Sequence, residues 1–389
     1  MVLGNGRWVL DSAVDRRTLL KGASGAALTA LVAAACGPTG GAGSPTPTPG
    51  APVAPSGPPT PAAAPAGASP AAASSIAQPT GVIPGASSAE TVYVFNVGSR
   101  DVTLIDAAAR QTRETRPLGA AVRWLSNEQT YWDGQLVWTY DFPDNKLQAI
   151  GIDPRNVAVS RTIPDLGTGP GHSLMLLPDK KTAAINVAGD NVIAVIDVGS
   201  GQIIRKVPTG KFPCDLHFTP DGRYAYTPER DQDTVSMFDI QTWSLVKTVN
   251  FPAGSQPYML RVSPDGKEVW VQTGKVDTNT VLSAEDLSTL ATMPTGKGPV
   301  TNAWSVDGKY SVVSNSVDTF ASVFDAKTYH EVGRLSVGQG ASNIGFTRDG
   351  TTGFMSVTGA NSVAVIDMPR LNVVSQLKAG MQPQGLIVL

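Results

Sequence analysis

Thr219-Pro220-Asp221-Gly222-Arg223-Tyr224-Ala225-Tyr226-Thr227, followed by Val235-Ser236-Met237-Phe238-Asp239, is the stretch that decides the fold. At its turn, proline presets φ, the aspartate accepts hydrogen bonds from nearby backbone and glycine supplies a left-handed residue. Short runs rich in Val, Phe, Tyr and Thr surround the turn at 216–219, 224–227, 235–238 and 245–249, and each reads as a strand. The turn returns at Asp133-Gly134, Asp179-Lys180, Asp265-Gly266, Asp307-Gly308 and Asp349-Gly350. With Asp221 included, successive aspartates lie 46, 42, 44, 42 and 42 residues apart. A second feature keeps the same beat, an apolar run closed by an acid: Ile105-Asp106, Ile152-Asp153, Ile196-Asp197, Phe238-Asp239, Phe324-Asp325 and Ile366-Asp367. Residues 283–286 hold the missing place in degraded form. About four short strands per unit at a period in the low forties predict an all-β chain, a β-propeller. No such sheet can bury both faces alone, and stacking around a ring buries them all.

The ends of the repeat predict how the ring closes. Residues 91–95 match the second strand of a unit with no first strand before them. Residues 384–389 match a first strand with nothing after them. Six whole units and one shared between N- and C-terminal strands make a seven-bladed propeller over 91–389, without open sheet edges.

The repeat resembles that of the YVTN family, whose units run from a Gly-x-x-Pro junction through Ser-Pro-Asp-Gly and Tyr-Val-Thr-Asn to Val-Ile-Asp. Ser263-Pro264-Asp265-Gly266 and Val363 to Asp367 match it well, whereas the units around 120–160 and 270–300 depart most. The resemblance implies a seven-bladed, mostly extracytoplasmic propeller and speaks to fold far more than to function.

Residues 1–35 read as a signal peptide. Arg16-Arg17 in Asp15-Arg16-Arg17-Thr18-Leu19-Leu20-Lys21 resembles a twin-arginine export signal, and the weakly apolar stretch 22–35 is too short to span a membrane. Ala33-Ala34-Ala35-Cys36-Gly37 resembles a lipobox, although Ala33 stands where Leu or Val is usual. Residues 36–90 are almost wholly Pro, Ala, Gly, Ser and Thr, the composition of a tether without a core. The expectation is a propeller anchored outside the cytoplasm through lipidated Cys36, with a secreted or periplasmic soluble form as the alternative.

Loss of residues 1–35 leaves 26 basic against 30 acidic side chains with no basic run, which argues against a nucleic-acid partner. The chain has two cysteines and no Cys-x-x-Cys-His, so covalently attached c-type haem is excluded.

Chemistry is expected where the loops crowd the channel mouth. His172, Cys214, Asp215, His217, Tyr258 and Arg261 are the ligand-binding candidates, with His172, His217 and Asp215 as candidate metal ligands. Aligning the Gly-x-x-Pro junctions sets His172 level with Asp215, and His217 level with Arg261. The same residues also suit an inter-blade hydrogen-bond and ion-pair network. No Gly-x-Ser-x-Gly or His-Glu-x-x-His pattern occurs, and no catalytic residue is assigned. The leading expectation is therefore a monomeric, tethered binding or scaffold propeller without a cofactor, meeting an unidentified protein or small-molecule ligand. The alternative is an oxidoreductase propeller carrying haem, copper or a quinone; a lactonase-type hydrolase is a third reading.

Overall fold

The computed structural model describes residues 90–125 and 129–389. Export and lipidation sites at Arg16, Arg17 and Cys36 lie outside them, as does the tether apart from Glu90.

Seven antiparallel sheets form, each strand pairing with its neighbour in sequence. In chain order, blade 2 comprises Gly171–Leu176, Thr182–Val187, Val192–Asp197 and Gln202–Pro208. Blade 3 comprises His217–Phe218, Tyr224–Glu229, Thr234–Asp239 and Ser244–Asn250, and blade 4 comprises Pro257–Val262, Glu268–Thr273, Thr278–Ser283 and Thr289–Pro294. Blades 5 and 6 repeat the plan from Pro299–Trp304 and Ala341–Phe346. The seventh sheet is shared between the chain ends. Pro383–Val388 pairs antiparallel with Thr91–Asn96, setting Val388 against Val92 and Leu386 against Val94.

The turn chemistry explains the period. In blade 3, Asp221 Oδ1 accepts from Arg223 N at 3.0 Å while Thr219 Oγ1 accepts from Tyr224 N at 3.0 Å. Gly222 sits at φ +71°, and a Cβ there would meet Pro178 Cγ of the preceding blade at 2.8 Å. The recurrent second acid closes the turn into the outer strand, as where Asp239 Oδ1 accepts from Thr242 N and Thr242 Oγ1, both at 2.8 Å. In blade 4 a serine, Ser283, takes the acid's place, and Asp286 three residues on accepts from Ser288 N at 3.0 Å.

The inner three strands of each unit are mostly buried and the outer strands mostly exposed, so the core lies between blades. Blade 1 departs from the plan. Among the described residues it has three paired strands, Val137–Asp141, Lys146–Asp153 and Ala158–Thr168. Residues 119–125 lead into the inner position, and Leu125 O accepts from Leu386 N of the closing blade at 2.8 Å. Within this segment Trp124 holds a left-handed backbone at φ +48°.

Candidate site at the channel mouth

Inner strands present one free edge to the channel, and their unpaired N–H groups need acceptors. Between blades 3 and 4 these come from side chains. Asp215 Oδ2 accepts from Leu260 N at 3.0 Å, and His217 Nδ1 accepts from Val262 N at 3.3 Å. Arg261 completes the arrangement: its Nη1 donates to Asp215 Oδ2 at 2.7 Å and to Leu260 O at 2.8 Å. Asp215 and Arg261 are both almost wholly inaccessible. Across the other face of blade 3, Asn186 Nδ2 donates to Asp215 O and, at 2.9 Å, to Thr227 Oγ1. These residues hold neighbouring inner strands together.

His172 does not join them. Met175 pairs with Ala184 as His217 pairs with Tyr226 and Arg261 with Trp270, so Met175, not His172, shares the level of His217 and Arg261. Pro170 O accepts from Ala188 N as Phe212 O accepts from Arg230 N, which sets Gly171 level with Pro213 and His172 level with Cys214. The expected alignment of His172 with Asp215 is thus one residue out, because the junction 167–171 carries one residue more than its counterparts. Among the described residues no group of three or more His, Cys, Asp and Glu side chains is placed to hold a metal ion. The candidate metal set His172, His217 and Asp215 is not brought together. Cys214 is fully buried.

What His172 does meet is aromatic. Trp124 of blade 1 lies nearly parallel to it, with ring centroids 6.0 Å apart and planes 14° from coplanar. Tyr258 of blade 4 meets it edge-on at 5.8 Å and meets Trp124 edge-on at 6.0 Å. Three blades thus close an aromatic cluster at the mouth. Trp124 belongs to a buried apolar cluster that also contains Met259 and Val300 of blades 4 and 5. His172 is 1% exposed. Burial above all, and then the positive charges of Arg230 and Arg123, push its pKa down to about 3. At neutral pH the imidazole is therefore uncharged and keeps a lone pair.

The two arginines complete the site. The Arg230 guanidinium stacks on Phe212 at 3.8 Å, and the Arg123 guanidinium lies 5.3 Å from the Phe142 ring centroid. Arg123 Nε is buried without a hydrogen-bond partner, as are Ser173 Oγ, Ser342 Oγ and Gln384 Oε1 on other inner strands. Buried polar groups normally find partners, so the Arg123 Nε–H suits a bound group that accepts a hydrogen bond. One uncharged imidazole, two aromatic rings and two guanidiniums, of which Arg230 also pairs with Asp231 at 2.8 Å, are chemically suited to a flat anionic group that carries a metal ion.

Of the sequence candidates, His172 and Tyr258 meet at this cluster, while Asp215, His217 and Arg261 form the inter-blade clamp. Arg123, Trp124 and Arg230 fall in the mouth loops that the repeat identifies but are not among the ligand-binding candidates. What the sequence lacks is a signal that pairs them with His172, which comes from another blade.

Residues 179–315 match the family described as the cytochrome D1 heme domain. The matched segment includes Tyr258 and Arg230, while Arg123, Trp124 and His172 precede it. The chain is 23% identical over 225 residues to a dihydro-heme d1 dehydrogenase of Pseudomonas aeruginosa, covering 55% of this chain and 43% of that protein. It is 27% identical over 150 residues to a 6-phosphogluconolactonase of Serratia proteamaculans, covering 34% of this chain and 45% of that one. The chain thus spans less than half the length of either relative. Among solved structures, a dihydro-heme d1 dehydrogenase is similar at a TM-score of 0.59 and 16% identity, covering 79% of this chain and 77% of that one. That likeness shows the seven-bladed β-propeller fold. The haem-domain match and the dehydrogenase relative overturn the expectation of a plain binding scaffold without a cofactor, and favour the haem-type alternative.

Proposed function

We propose that this propeller binds a haem d1-type tetrapyrrole at its channel mouth and takes part in redox handling of that group. The observation that carries the reading is His172, an uncharged, buried imidazole flanked by two guanidiniums in a chain whose neighbouring blades match a haem domain. His172 would hold the metal of the group through its imidazole, and its depressed pKa means that no proton competes for the ring at physiological pH. Trp124 and Tyr258 would wall the macrocycle and exclude water. Arg123 and Arg230 would pair with acidic substituents, as guanidiniums do with carboxylates. Bound there, the group supplies one-electron chemistry at its iron. Export through Arg16-Arg17 and anchoring through lipidated Cys36, outside the cytoplasm, complete the proposal.

The test is a titration of the purified chain with ferric haem b and with haem d1, followed by absorption. A band shift saturating at one equivalent is expected. It should vanish in His172→Ala and weaken in Arg123→Gln and Arg230→Gln. Absence of any saturable shift in protein that melts normally overturns the reading. Hydrolysis of 6-phosphogluconolactone that is lost in His172→Ala replaces it with the lactonase one.

A further inference from the structure

Where blade 4 meets blade 5, one carboxylate serves two oxidisable rings. Glu268 opens the second strand of blade 4, and Tyr329 stands in the turn between Ala321–Asp325 and Glu331–Leu335 of blade 5. The Tyr329 phenol donates to Glu268 Oε1 at 2.6 Å. Trp270, in the same strand as Glu268, donates from its indole Nε1 to Glu268 Oε2 at 2.8 Å. The Trp270 ring meets Tyr329 at 5.9 Å and meets Trp304, at the end of the inner strand of blade 5, at 4.9 Å. Trp304 Nε1 is buried without a hydrogen-bond partner. Tyr226 makes the contrast: its hydroxyl donates to the backbone carbonyl of Ala284, which takes no proton.

We infer that Tyr329 is a one-electron donor site of this chain, with Glu268 as its base. A one-electron oxidant of the high-potential metal-complex class takes an electron from the phenol while the phenolic proton passes to Glu268 Oε1. The products are a neutral tyrosyl radical, a neutral carboxyl and the reduced metal complex. The O–H···O separation is that of a short, charge-assisted hydrogen bond, so the proton moves without rearrangement of either side chain. Burial above all, then the hydrogen bond to Glu268 and its charge, push the phenol's pKa up to about 12. At neutral pH the proton is therefore present and has to leave with the electron. Trp270 and Trp304 extend the site into the interior. A hole formed on Trp304 has no acceptor for its N–H proton, whereas Trp270 and Tyr329 share one. A phenol gives up its electron more readily than an indole once its proton has a base, so the hole settles on Tyr329, which is half-buried. The site does not rest on the tetrapyrrole reading, and no group at the mouth takes part.

The test oxidises the full chain, without haem, by photogenerated tris-bipyridyl ruthenium(III) at neutral pH in the presence of a nitroso spin trap, and maps tyrosine adducts by mass spectrometry. Tyr224 and Tyr310 are the references, half-buried like Tyr329 but lying under the cations of Arg223 and Lys309. Adducts at Tyr329 should exceed those at either reference by at least about tenfold, the low end of what a positioned base contributes. Glu268→Gln keeps an acceptor for the phenol but removes the base, and should bring Tyr329 down to the level of the references. Tyr329→Phe should move the radical to Trp270, whose N–H proton Glu268 still takes, read as a neutral tryptophan radical by electron paramagnetic resonance. Equal labelling of the three tyrosines in wild type overturns the inference, and that arm stands even if Glu268→Gln does not fold. A Glu268→Gln protein that melts normally and labels Tyr329 as wild type does also overturns it. Failure of haem to bind at the mouth leaves all of these outcomes untouched.

Discussion

Asp215 and Arg261 form an ion pair at 2.7 Å with both side chains at most 1% exposed, and it spans two blades at the channel edge. Charges taken this far from water need hydrogen bonds, and the Asp215 carboxylate accepts from Leu260 N and Arg261 Nη1 on one oxygen and from Leu216 N on the other. Removing one partner leaves the other buried and uncompensated. Arg261→Met is therefore expected to destabilise the propeller by about 3–5 kcal/mol in urea denaturation. The double variant Asp215→Asn, Arg261→Met should recover part of that loss, because no lone charge remains. A single variant that unfolds at the wild-type urea concentration contradicts the clamp.

The ring and its closure were legible because their chemistry is local. An Asp that caps its own turn and an apolar run closed by an acid carry their signal within a few residues, and counting them yields the blades. The clamp was half legible, since Asp215 and His217 alternate on one strand and Arg261 repeats at the matching level. The aromatic cluster was not. Trp124, His172 and Tyr258 come from three blades, and no local rule links them. Trp124 stands nine residues before Asp133, as Phe212 stands before Asp221 and Gln256 before Asp265, so its level can be counted, but its contact with rings of two other blades cannot. At the junction before His172, Gly167-Thr168-Gly169-Pro170 offers the expected motif one residue too early, and only the backbone bond from Ala188 N to Pro170 O fixes the true level.

Closure by the last strand makes a second expectation. Leu386 and Ile387 are buried between the closing blade and its neighbours, and Val388 is nearly so. Deleting residues 384–389 removes these side chains, each contributing roughly 1.5–3 kcal/mol, and uncovers a sheet edge. The truncated chain should lose its cooperative melt near the wild-type temperature and aggregate on heating. Leu386→Ala alone should cost about 2–5 kcal/mol. A truncated protein melting with the parent argues against closure by this strand.

Export and anchoring are testable in the native cell. Replacing Arg16 and Arg17 by Lys should leave unprocessed precursor inside, because the twin-arginine route reads that pair. Cys36→Ala should move the chain from the membrane fraction to the soluble one. A Cys36→Ala protein that stays with the membrane removes the lipid anchor from the proposal.

The buried imidazole predicts how stability depends on pH. Unfolded, His172 titrates near its ordinary value of 6.5; folded, burial and the nearby Arg230 and Arg123 hold it down to about 3. Between those values the unfolded chain binds a proton that the folded one refuses, so stability falls as pH falls through this window. Each unit of pH is worth about 1.4 kcal/mol once the unfolded imidazole is protonated. From pH 6.5 to 4.5 the loss from this one group should be about 2 kcal/mol. The turn aspartates, such as Asp197, Asp239 and Asp325, have pKa values lowered by backbone and hydroxyl hydrogen bonds, and they add the same sign only at lower pH. The window above pH 4.5 therefore leaves these aspartates out, and comparison with a variant at position 172 isolates that histidine. His172→Phe keeps an aromatic ring against Trp124 and Tyr258 but cannot take a proton. Urea denaturation at pH 6.5 and 4.5 should show a smaller difference for the variant than for wild type, by about that 2 kcal/mol. Equal differences for the two proteins mean that His172 is protonated in the folded chain, and the uncharged metal-holding imidazole of the proposed site goes with it.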